Sequence, residues 1–399
     1  MFELPLNPNT SYFARTNFRL SNKLFGIAQE DRLFHMAIFG KTGAGKTSLL
    51  ETFVLQDIYY DRGGFIIDIH GDMSVSILNQ IPSDKIENIR FIDISNPQLD
   101  IRFNPLRVVP YDKRSLVASN ILETFKKLWK SAWGAKMEHI LRYVLLSLLD
   151  QPQANFSDIN RILQDKEFRQ SCLPYLQNPE LLTFWKKEFP SYKPFDLLPI
   201  YNKVGGFLAH PSVRRLLITN PNPMDLGLLV NQSKMILLRI PKGEIGTDTS
   251  FLLSSLFLNA LVTAGFSRVS IPYQDRKPFF VYLDEFPSYT NGNIAIMLSE
   301  LRKFKMGILL SCQSLSMIDR DLRDTILSNV GSVVVFRLGF SDANYFAKEF
   351  HPVFKASDFT NLSNYDIYLR LFIDGKSSRA FSGRTLLFKD IYPLSNPPV

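Results

Sequence analysis

The chain has 399 residues, of which 45% are hydrophobic and 21% charged, with a net charge of +8 and a pI near 9.2. This is the composition of a soluble globular protein, long enough for two or three domains. Two cysteines far apart and five scattered histidines exclude a disulfide framework and a clustered metal site, and they predict a reducing, cytoplasmic environment. The basic excess favours an anionic partner, nucleic acid before a membrane surface.

Short apolar runs alternate with helical patterns, which predicts an α/β fold with a largely parallel sheet. The predicted strands cover residues 35–39, 65–69, 89–92, 235–240, 279–283, 307–311 and 332–337. A last pair, 367–373 and 379–388, predicts a hairpin around Asp374 and Gly375. The N-terminus lacks the basic-then-apolar pattern of a signal peptide.

The stretch "GKTGAGKTS" fits the phosphate-loop pattern G-x-x-x-x-G-K-[ST] and lies between a predicted strand and a predicted helix. Its glycines let backbone N–H groups surround phosphate oxygens at a helix N-terminus. Lys46 is expected to reach the β- and γ-phosphates of a nucleotide, and the Thr47 hydroxyl to bind Mg²⁺. The predicted nucleotide-binding residues of this loop are Gly40, Thr42, Gly43, Ala44, Gly45, Lys46, Thr47 and Ser48.

The stretch "FIIDIHGD" follows the phosphate loop and contains Asp-x-x-Gly, a pattern also found in switch GTPases. The Asn-Lys-x-Asp motif that selects guanine is missing, because the Asn-Lys pairs at Asn22 and Asn202 lack the aspartate. We therefore predict that Asp68, at the tip of the neighbouring strand, lies beside the phosphates or the metal. The alternative is an ordinary strand-to-helix turn with a capping aspartate.

Residues 110–231 lack strand signals and show long helical patterns, which predicts an inserted all-α domain. The predicted division is an N-terminal extension 1–30, a first core part 31–109, the helical insertion 110–231 and a second core part 232–399. The uncharged run 249–266 is almost long enough to span a bilayer, but its polar residues favour a buried helix. We therefore expect no integral membrane segment.

The segment 112–142 carries seven basic residues against three acidic ones, half of the net charge of the chain. Phe125, Trp129 and Trp133 alternate with lysines in "FKKLWKSAWGAK". Cations on phosphates and aromatic rings on bases are typical of single-strand binding. The alternative is a basic helix face whose aromatic side chains belong to the core.

The stretch "FFVYLDEFPSY" places Asp284 and Glu285 at the tip of an apolar strand, which fits a Walker B motif. Asp284 is expected to hold Mg²⁺, and Glu285 to act as the general base for the attacking water. After the next strand, Gln313 could sense the γ-phosphate, or be an amide satisfied within its loop. Arg302 could stabilise charge on a γ-phosphate, or be a solvated cation at a helix C-terminus.

Together these stretches resemble the HerA/FtsK superfamily of ring ATPases, and most of all the coupling-protein (TraG/TraD-like) ATPases of conjugative type IV secretion. The resemblance rests on "FGIAQEDRLFHMAIFGKTGAGKTSLL", "GGFIIDIHGD", "RFNPL", "LLRIPKGEIG", "VYLDEFPSY", "LSELRKFKMGILLSCQSL" and "ILSNVGSVVVFRLGFSDANYFAKEF". It departs from these families in three respects: Ile69 replaces the proline of their Asp-Pro-His-Gly pattern, and the chain has neither N-terminal membrane helices nor a β-barrel before the first predicted strand.

The resemblance implies a RecA-like core, a homo-hexamer that threads DNA through its centre, and hydrolysis of ATP with Mg²⁺ at subunit interfaces. It assigns the sensor role to Gln313 and makes Arg302 an arginine that commonly serves the site of a neighbouring subunit. A secretion, relaxase or nuclease partner would fit such a motor, which would lie in the cytoplasm or reach the membrane through a partner. A motor for protein substrates of a secretion or pilus machine and a nucleotide-gated scaffold with little turnover stay open as alternatives.

Overall fold

The candidate site depends on one large sheet, which is seen in a computed structural model that describes residues 6–18, 21–106, 109–218, 223–289 and 293–392. Parts of the four predicted domains lie outside the described residues, namely 1–5, 19–20, 107–108, 219–222, 290–292 and 393–399. The strands are β1 (Thr10–Thr16), β2 (Leu24–Ala28), β3 (Met36–Phe39), β4 (Gly63–Asp68), β5 (Ile89–Asp93), β6 (Met235–Arg239), β7 (Phe279–Leu283), β8 (Met306–Cys312), β9 (Ser332–Val335), β10 (Asp366–Arg370), β11 (Phe372–Ile373), β12 (Lys376–Ser377) and β13 (Phe381–Thr385).

Eleven of the described strands form one sheet, in the order β2-β1-β13-β10-β9-β3-β8-β7-β4-β6-β5. The seven strands from β9 to β5 are parallel, and β10, β13, β1 and β2 continue the sheet with antiparallel pairs. The prediction of an α/β fold with a largely parallel sheet is confirmed. Each of the seven predicted strands is present with boundaries within two residues, since continuous apolar runs are typical of strands buried on both faces.

Helices cover both faces of the sheet, because alternate residues of each central strand point to opposite sides. On β3, Met36 and Ile38 belong to one buried cluster, and Ala37 and Phe39 belong to the other. The helices are α1 (Gln29–Arg32), α2 (Lys46–Tyr59), α3 (Asp72–Leu78), α4 (Tyr111–Leu128), α5 (Ala135–Leu149), α6 (Asp158–Gln164), α7 (Lys166–Cys172), α8 (Pro179–Thr183), α9 (Pro194–Leu208), α10 (Pro211–Leu217), α11 (Leu226–Asn231), α12 (Lys242–Ile245), α13 (Thr247–Ser267), α14 (Asn293–Glu300), α15 (Arg320–Asn329), α16 (Phe340–Glu349), α17 (Ala356–Thr360) and α18 (Phe388–Ile391).

The N-terminal extension contains two strands that were not predicted. β1 lies between β2 and β13, so this hairpin forms the antiparallel end of the sheet. Its sequence mixes polar and apolar residues, and the β1–β2 register shifts between Tyr12 and Ala14, which interrupts the alternation that identifies a strand. The strand that begins at Met36 is therefore the third of the described strands, although the sequence predicted it to be the first.

Between β5 and β6 the described residues form helices and loops only, and α4 packs on α13 of the core. The predicted hairpin is also present, because β10 pairs with β13 and the tip turns at Asp374 and Gly375, both with positive φ. The boundaries of the predicted domains at residues 30, 109 and 231 stay a prediction.

One helix in the described part of the chain, Thr247–Ser270, has the length and apolar composition that a membrane span requires, with a mean hydropathy of 1.5. However, 83% of its most apolar window is buried inside the protein. Ser250, Ser254, Ser255 and Asn259 are buried as well, and the Ser250 and Ser255 hydroxyls donate to backbone carbonyls of neighbouring elements. Burial of the helix within the fold, as expected for the run 249–266, is confirmed.

Candidate active site

The predicted site residues other than Arg302 gather at one edge of the sheet, because neighbouring parallel strands end there. The phosphate loop follows β3, the "DIHGD" turn follows β4, the two acids follow β7, and Gln313 follows β8. In the sheet these four strands are adjacent, in the order β3-β8-β7-β4. Ligands of open α/β sheets bind at this carboxyl edge.

The phosphate loop has the backbone shape that its glycines predict. Gly43 and Gly45 have φ angles of +75° and +118°, which other residues rarely adopt. A Cβ atom on Gly45 would lie 2.9 Å from Cδ1 of Tyr365, so the loop also has no room for a side chain there. The N–H groups of the first turn of α2 have no partner within the helix, and the helix dipole adds positive potential at this end.

Lys46 is folded against the loop that precedes it. Its Nζ donates to the carbonyl oxygens of Gly40 at 2.7 Å and Lys41 at 3.1 Å, and the residue is only 6% exposed. Burial lowers the pKa of the Lys46 ammonium, while the carboxylates of Asp284 and Glu285 act in the opposite direction. The cation is thus held inside the loop, where burial takes away water that would stabilise it. The negative charge of a phosphate would stabilise it instead.

Thr47 and Asp284 are hydrogen-bonded to each other, so their oxygens lie close enough to share a metal ion. The Thr47 hydroxyl donates to Oδ2 of Asp284 at 2.7 Å, and Ser311 on β8 donates its hydroxyl to Oδ1. The backbone N–H of Glu285 also donates to Oδ1, at 3.1 Å. These contacts fix the carboxylate beside the first turn of α2.

Glu285 is held by two side chains from neighbouring strands. His70 Nε2 lies 2.8 Å from Oε2, and Gln313 donates its amide to Oε1. Glu285 also has a left-handed backbone with φ of +49°, a strained conformation that is common at functional sites. Burial raises the pKa of the Glu285 carboxyl, but the hydrogen bonds from His70 and Gln313 outweigh it, so the pKa lies below its ordinary value. Glu285 is therefore ionised at neutral pH, as a general base must be.

Asp68 organises the turn that follows β4. Its Oδ1 accepts the N–H groups of His70 and Gly71 at 3.1 and 2.7 Å, and its Oδ2 accepts that of Ser74 at 2.8 Å. Asp68 is 3% exposed and lines the cleft beside Asp284. This geometry is that of the alternative interpretation, a strand-to-helix turn with a capping aspartate. Direct contact between Asp68 and a nucleotide stays a prediction.

The cleft between these residues has a volume of about 160 Å³ and is lined by Thr47, Asp68, Ile69, His70, Asp72, Met73, Asp284 and Glu285. In the described part of the chain, no three His, Cys, Asp or Glu residues form a group suited to a metal ion. Mg²⁺ needs no such group, because it binds to one or two protein oxygens and takes its other ligands from phosphates and water. The hydroxyl of Thr47 and the carboxylate of Asp284 are oxygen donors of that kind.

Arg302 lies away from this cleft. It follows α14 and precedes β8, whereas Gln313 follows β8, so the two residues lie at opposite ends of a seven-residue strand about 20 Å long. The Arg302 guanidinium stacks on the ring of Phe34 at 3.2 Å from the centroid. Arg302 thus cannot reach the phosphate loop of its own chain, and the part it would play in a second subunit's site stays a prediction.

The structure decides between the two interpretations of the aromatic residues in the basic segment. Phe125 and Trp129 are 1% and 4% exposed and stack on each other at 4.4 Å in the core. Trp133 is half-buried, and its Nε1 donates to Glu138. Phe125 in α4 and Trp129 directly after it are four residues apart, so both lie on the inner face of the helix. The alternative interpretation, a basic helix face with aromatics in the core, is therefore the right one for these rings.

Sequence reasoning missed two residues that the structure places at the site. Ser311 lies inside the apolar run of β8, and its bond to Asp284 joins residues that are distant along the chain. Tyr365 has a left-handed backbone with φ of +69°, and its N–H donates to the carbonyl of Ala44 in the phosphate loop at 2.9 Å. The positive φ of an aromatic residue gives no sequence signal, and neither does a serine in a strand.

Comparison with known proteins agrees with this geometry. Residues 31–174 match the family model "Helicase HerA, central domain". The sequence matches no curated protein. The fold is similar to that of the bacterial conjugative coupling protein TrwB in an unbound form, with a TM-score of 0.66 at 14% identity over 91% of this chain and 87% of that chain.

Two further structures have a similar fold. TrwB in complex with ADP and Mg²⁺ has a TM-score of 0.65 at 14% identity, covering 91% of this chain and 87% of that one. VirB4 of Thermoanaerobacter pseudethanolicus has a TM-score of 0.61 at 12% identity, covering 96% of this chain and 97% of that one. These likenesses confirm the resemblance predicted from the motifs: the chain is similar to the HerA/FtsK ATPases, and its P-loop NTPase fold is that of the coupling protein TrwB and of VirB4.

Proposed function

We propose that the protein is an ATPase of the type IV secretion kind that moves DNA through a ring of identical subunits. The observation that carries the ATPase proposal is the hydrogen-bonded set of Thr47, Asp284, Glu285 and Gln313 at the end of the phosphate loop. TrwB, which has the same fold, has been seen with ADP and Mg²⁺ and with the ATP analogue ADPNP, which supports ATP and Mg²⁺ as the ligands here.

The residues of the cleft would have different roles in hydrolysis. Lys46 and the N–H groups of Gly43 to Ser48 would bind the phosphates and neutralise their charge. Thr47 and Asp284 would hold Mg²⁺, which when bound neutralises charge on the β- and γ-phosphates. Glu285 would accept a proton from the attacking water through a lone pair that its bonds to His70 and Gln313 leave free.

A homo-hexamer explains why Arg302 lies at the opposite edge of the sheet. In a head-to-tail ring each subunit presents one edge to the cleft of the next, so a residue far from its own nucleotide lies close to its neighbour's. Arg302 would then stabilise charge that develops on the γ-phosphate bound by the neighbouring subunit. The site would be complete only at a subunit interface.

DNA is the substrate that the charge of +8 favours, with phosphate contacts that do not depend on base sequence. With Phe125 and Trp129 in the core, lysines of the basic segment remain as the candidate contacts. We place this activity in the cytoplasm, where a secretion, relaxase or nuclease partner would direct it, and we propose the helical residues 110–231 as a separate inserted domain.

A motor for protein substrates is the second candidate, because α9 exposes apolar side chains that a protein could cover. Phe195 is 79% exposed and Leu198 is 45% exposed. Larger exposed apolar surfaces are typical of protein interaction sites.

The test is the steady-state ATPase rate of the full chain with and without single- or double-stranded DNA at two salt concentrations. We expect DNA to stimulate the rate, high salt to weaken this stimulation, and Lys46→Ala to abolish the rate. Glu285→Gln should bind ATP and not hydrolyse it. Loss of turnover with ATP binding retained would rule out a nucleotide-gated scaffold with little turnover, because the wild-type turnover would then depend on the general base. A rate that an assembled ring shows equally with and without DNA would exclude the DNA motor and favour protein substrates.

A further inference from the structure

A second cavity, larger than the catalytic cleft, lies at the opposite edge of the sheet. Its volume is about 540 Å³, and its walls include Phe34 before β3, Arg302 before β8, Gly331 before β9, and Arg370 at the end of the antiparallel strand β10. Because β10 runs against β9, with Arg370 opposite Val333, its last residue meets the amino ends of the parallel strands. We call this cavity the amino-edge pocket.

Two guanidinium groups line the amino-edge pocket without a counterion. Among the described residues, neither the Arg302 nor the Arg370 side chain has a hydrogen bond or an ion pair. Each carries five N–H donors in a fixed planar arrangement, which suits carboxylate and phosphate oxygens. Two such groups beside one cavity predict an anionic ligand with several oxygens.

The Arg302 side chain is held in place before any ligand arrives. Its guanidinium lies 3.2 Å from the centroid of the Phe34 ring, and that ring stacks on Phe372 at 4.0 Å. His35 Nε2 lies 3.0 Å from the carbonyl oxygen of Leu298, and the Ile308 N–H donates to His35 Nδ1 at 3.1 Å. The histidine ring thus joins the end of α14 to β8, on either side of Arg302, so that little side-chain order must be gained on binding.

The catalytic cleft lacks what the amino-edge pocket offers. The described residues that line the cleft include no arginine, and Lys46 and Lys242 are cations that act on its carboxylates. Transfer of a phosphoryl group develops negative charge on the γ-phosphate oxygens, which an additional guanidinium stabilises. The two edges of one subunit are therefore complementary, one carrying the phosphate loop and the other a pair of unpaired arginines.

We propose that the amino-edge pocket receives the phosphate end of the nucleotide bound by a second copy of this chain, and that Arg370 is a catalytic arginine there in addition to Arg302. This inference rests on the proposed ring ATPase and names a further residue of its site. Arg302 reaches the pocket from the loop before β8 and Arg370 from β10, so the two cations approach one phosphate group from different sides. Bidentate contacts from both would neutralise the three γ-oxygens more fully than one arginine could.

The test measures the ATPase rate of full-length Arg370→Ala and Arg370→Lys, with Arg384→Ala as the matched control. Arg384 is exposed on the neighbouring strand β13 and bonds to Asp366. We expect both Arg370 variants to lose at least about a hundredfold in rate, because lysine cannot form the bidentate contact. Binding of a fluorescent ADP analogue and the assembly state should match those of the control.

Mixing variants tests whether Arg370 serves another subunit. Lys46→Ala retains both arginines, and Arg370→Ala retains the phosphate loop, so an equal mixture creates interfaces with one intact half from each. If subunits mix at random, about a quarter of the interfaces are intact and the rate recovers to about that fraction. Recovery supports the proposal, whereas a mixture that assembles and stays inactive overturns it.

Other outcomes separate this inference from the proposed function. If Arg370→Ala hydrolyses ATP as fast as Arg384→Ala and the wild type do, the role of Arg370 is overturned and the ATPase proposal stays intact. Weaker DNA binding by Arg370→Ala without nucleotide, with an unchanged ATPase rate, assigns the pocket to DNA phosphates and also overturns it. If the wild-type chain itself does not hydrolyse ATP, the proposed function fails, and the inference fails with it.

Discussion

His70 and Glu285 are joined through Nε2 and Oε2 at 2.8 Å, across the neighbouring strands β4 and β7. Gln313 holds the other carboxylate oxygen, so both oxygens of the candidate general base are occupied by side chains. Each oxygen keeps a second lone pair, which can accept a hydrogen bond from the attacking water. The pair thus gives His70 a positioning role that the "DIHGD" motif alone does not specify.

We predict that His70→Ala lowers the kcat of ATP hydrolysis by about one to two orders of magnitude, because Glu285 loses one of its two anchors. Nucleotide affinity should change little, since His70 lies on the Glu285 side of the cleft. His139→Ala is the matched control, because His139 forms a similar bond of 2.7 Å to Glu188 in the helical segment. Equal rates for the two variants would show that His70 does not orient the base.

We predict that Ser311→Ala raises the Mg²⁺ concentration needed for half-maximal ATPase activity by about tenfold, because the Asp284 carboxylate loses the hydroxyl that fixes its orientation. Titration of the rate with MgCl₂ at saturating ATP measures this. Ser147→Ala is the control for general loss of stability, since Ser147 is also buried and accepts the indole N–H of Trp185 at 2.8 Å. An unchanged Mg²⁺ requirement would contradict a role for Ser311 in the metal site.

His35 predicts a loss of stability in mild acid. Burial lowers the pKa of His35 from 6.5 to about 4 in the folded chain, so the unfolded chain binds a proton that the folded chain refuses between these two pH values. The contribution of neutral His35 is complete above the unfolded pKa and is lost as the pH falls towards 4. Between pH 7 and pH 5 the free energy of unfolding should fall by about 2 kcal/mol from this group alone.

The measurement is chemical denaturation of the wild type and His35→Asn at pH 7 and pH 5. Asparagine tolerates the φ of +66° at this position and does not titrate in this range. We expect the variant to be less stable at pH 7 and to lose less stability on acidification. Identical pH slopes would show that His35 is not the group responsible.

Two substitutions in the basic segment should affect stability and DNA binding separately. Phe125→Ala should lower the free energy of unfolding by about 3–5 kcal/mol, because the ring is buried against Trp129. Lys130→Gln, on an exposed residue, should leave stability unchanged and reduce the slope of log affinity against log salt by about one. The control is Lys166→Gln, since Lys166 is an exposed lysine outside the segment. If Lys130→Gln leaves the slope of log affinity against log salt unchanged, Lys130 does not contact DNA.

The sequence predicted those parts of the fold that depend on local patterns. The strand 279–283 was located to the residue, since five apolar residues are followed directly by two acids. The hairpin β1–β2 was missed, because its partner β13 lies at the far end of the chain and its own residues do not alternate. For Phe125 and Trp129 the neighbouring lysines left base stacking and burial in the core both open, and their spacing of four residues, which places them on one face of a helix, fits the burial that the structure shows.

The candidate site was predictable where one motif specifies both residue type and position, as in the phosphate loop and the two acids after β7. The contacts between motifs were not, because His70 meets Glu285, and Ser311 meets Asp284, only when separate strands become neighbours in the sheet. The place of Arg302 at the other edge follows from strand direction, which fixes the ends of β8 on opposite sides of the molecule.

The pairing of β1 with β13 has a consequence for synthesis on the ribosome. Ala14 is opposite Thr385, so the N-terminal hairpin leaves the ribosome long before the strand that it must join. Until β13 emerges, one side of β1 exposes unpaired N–H and C=O groups, which can pair with another nascent chain. The antiparallel end of the sheet can therefore assemble only after β13 has emerged, and it is the place where a chaperone or a slow translation rate would most affect the yield of folded protein.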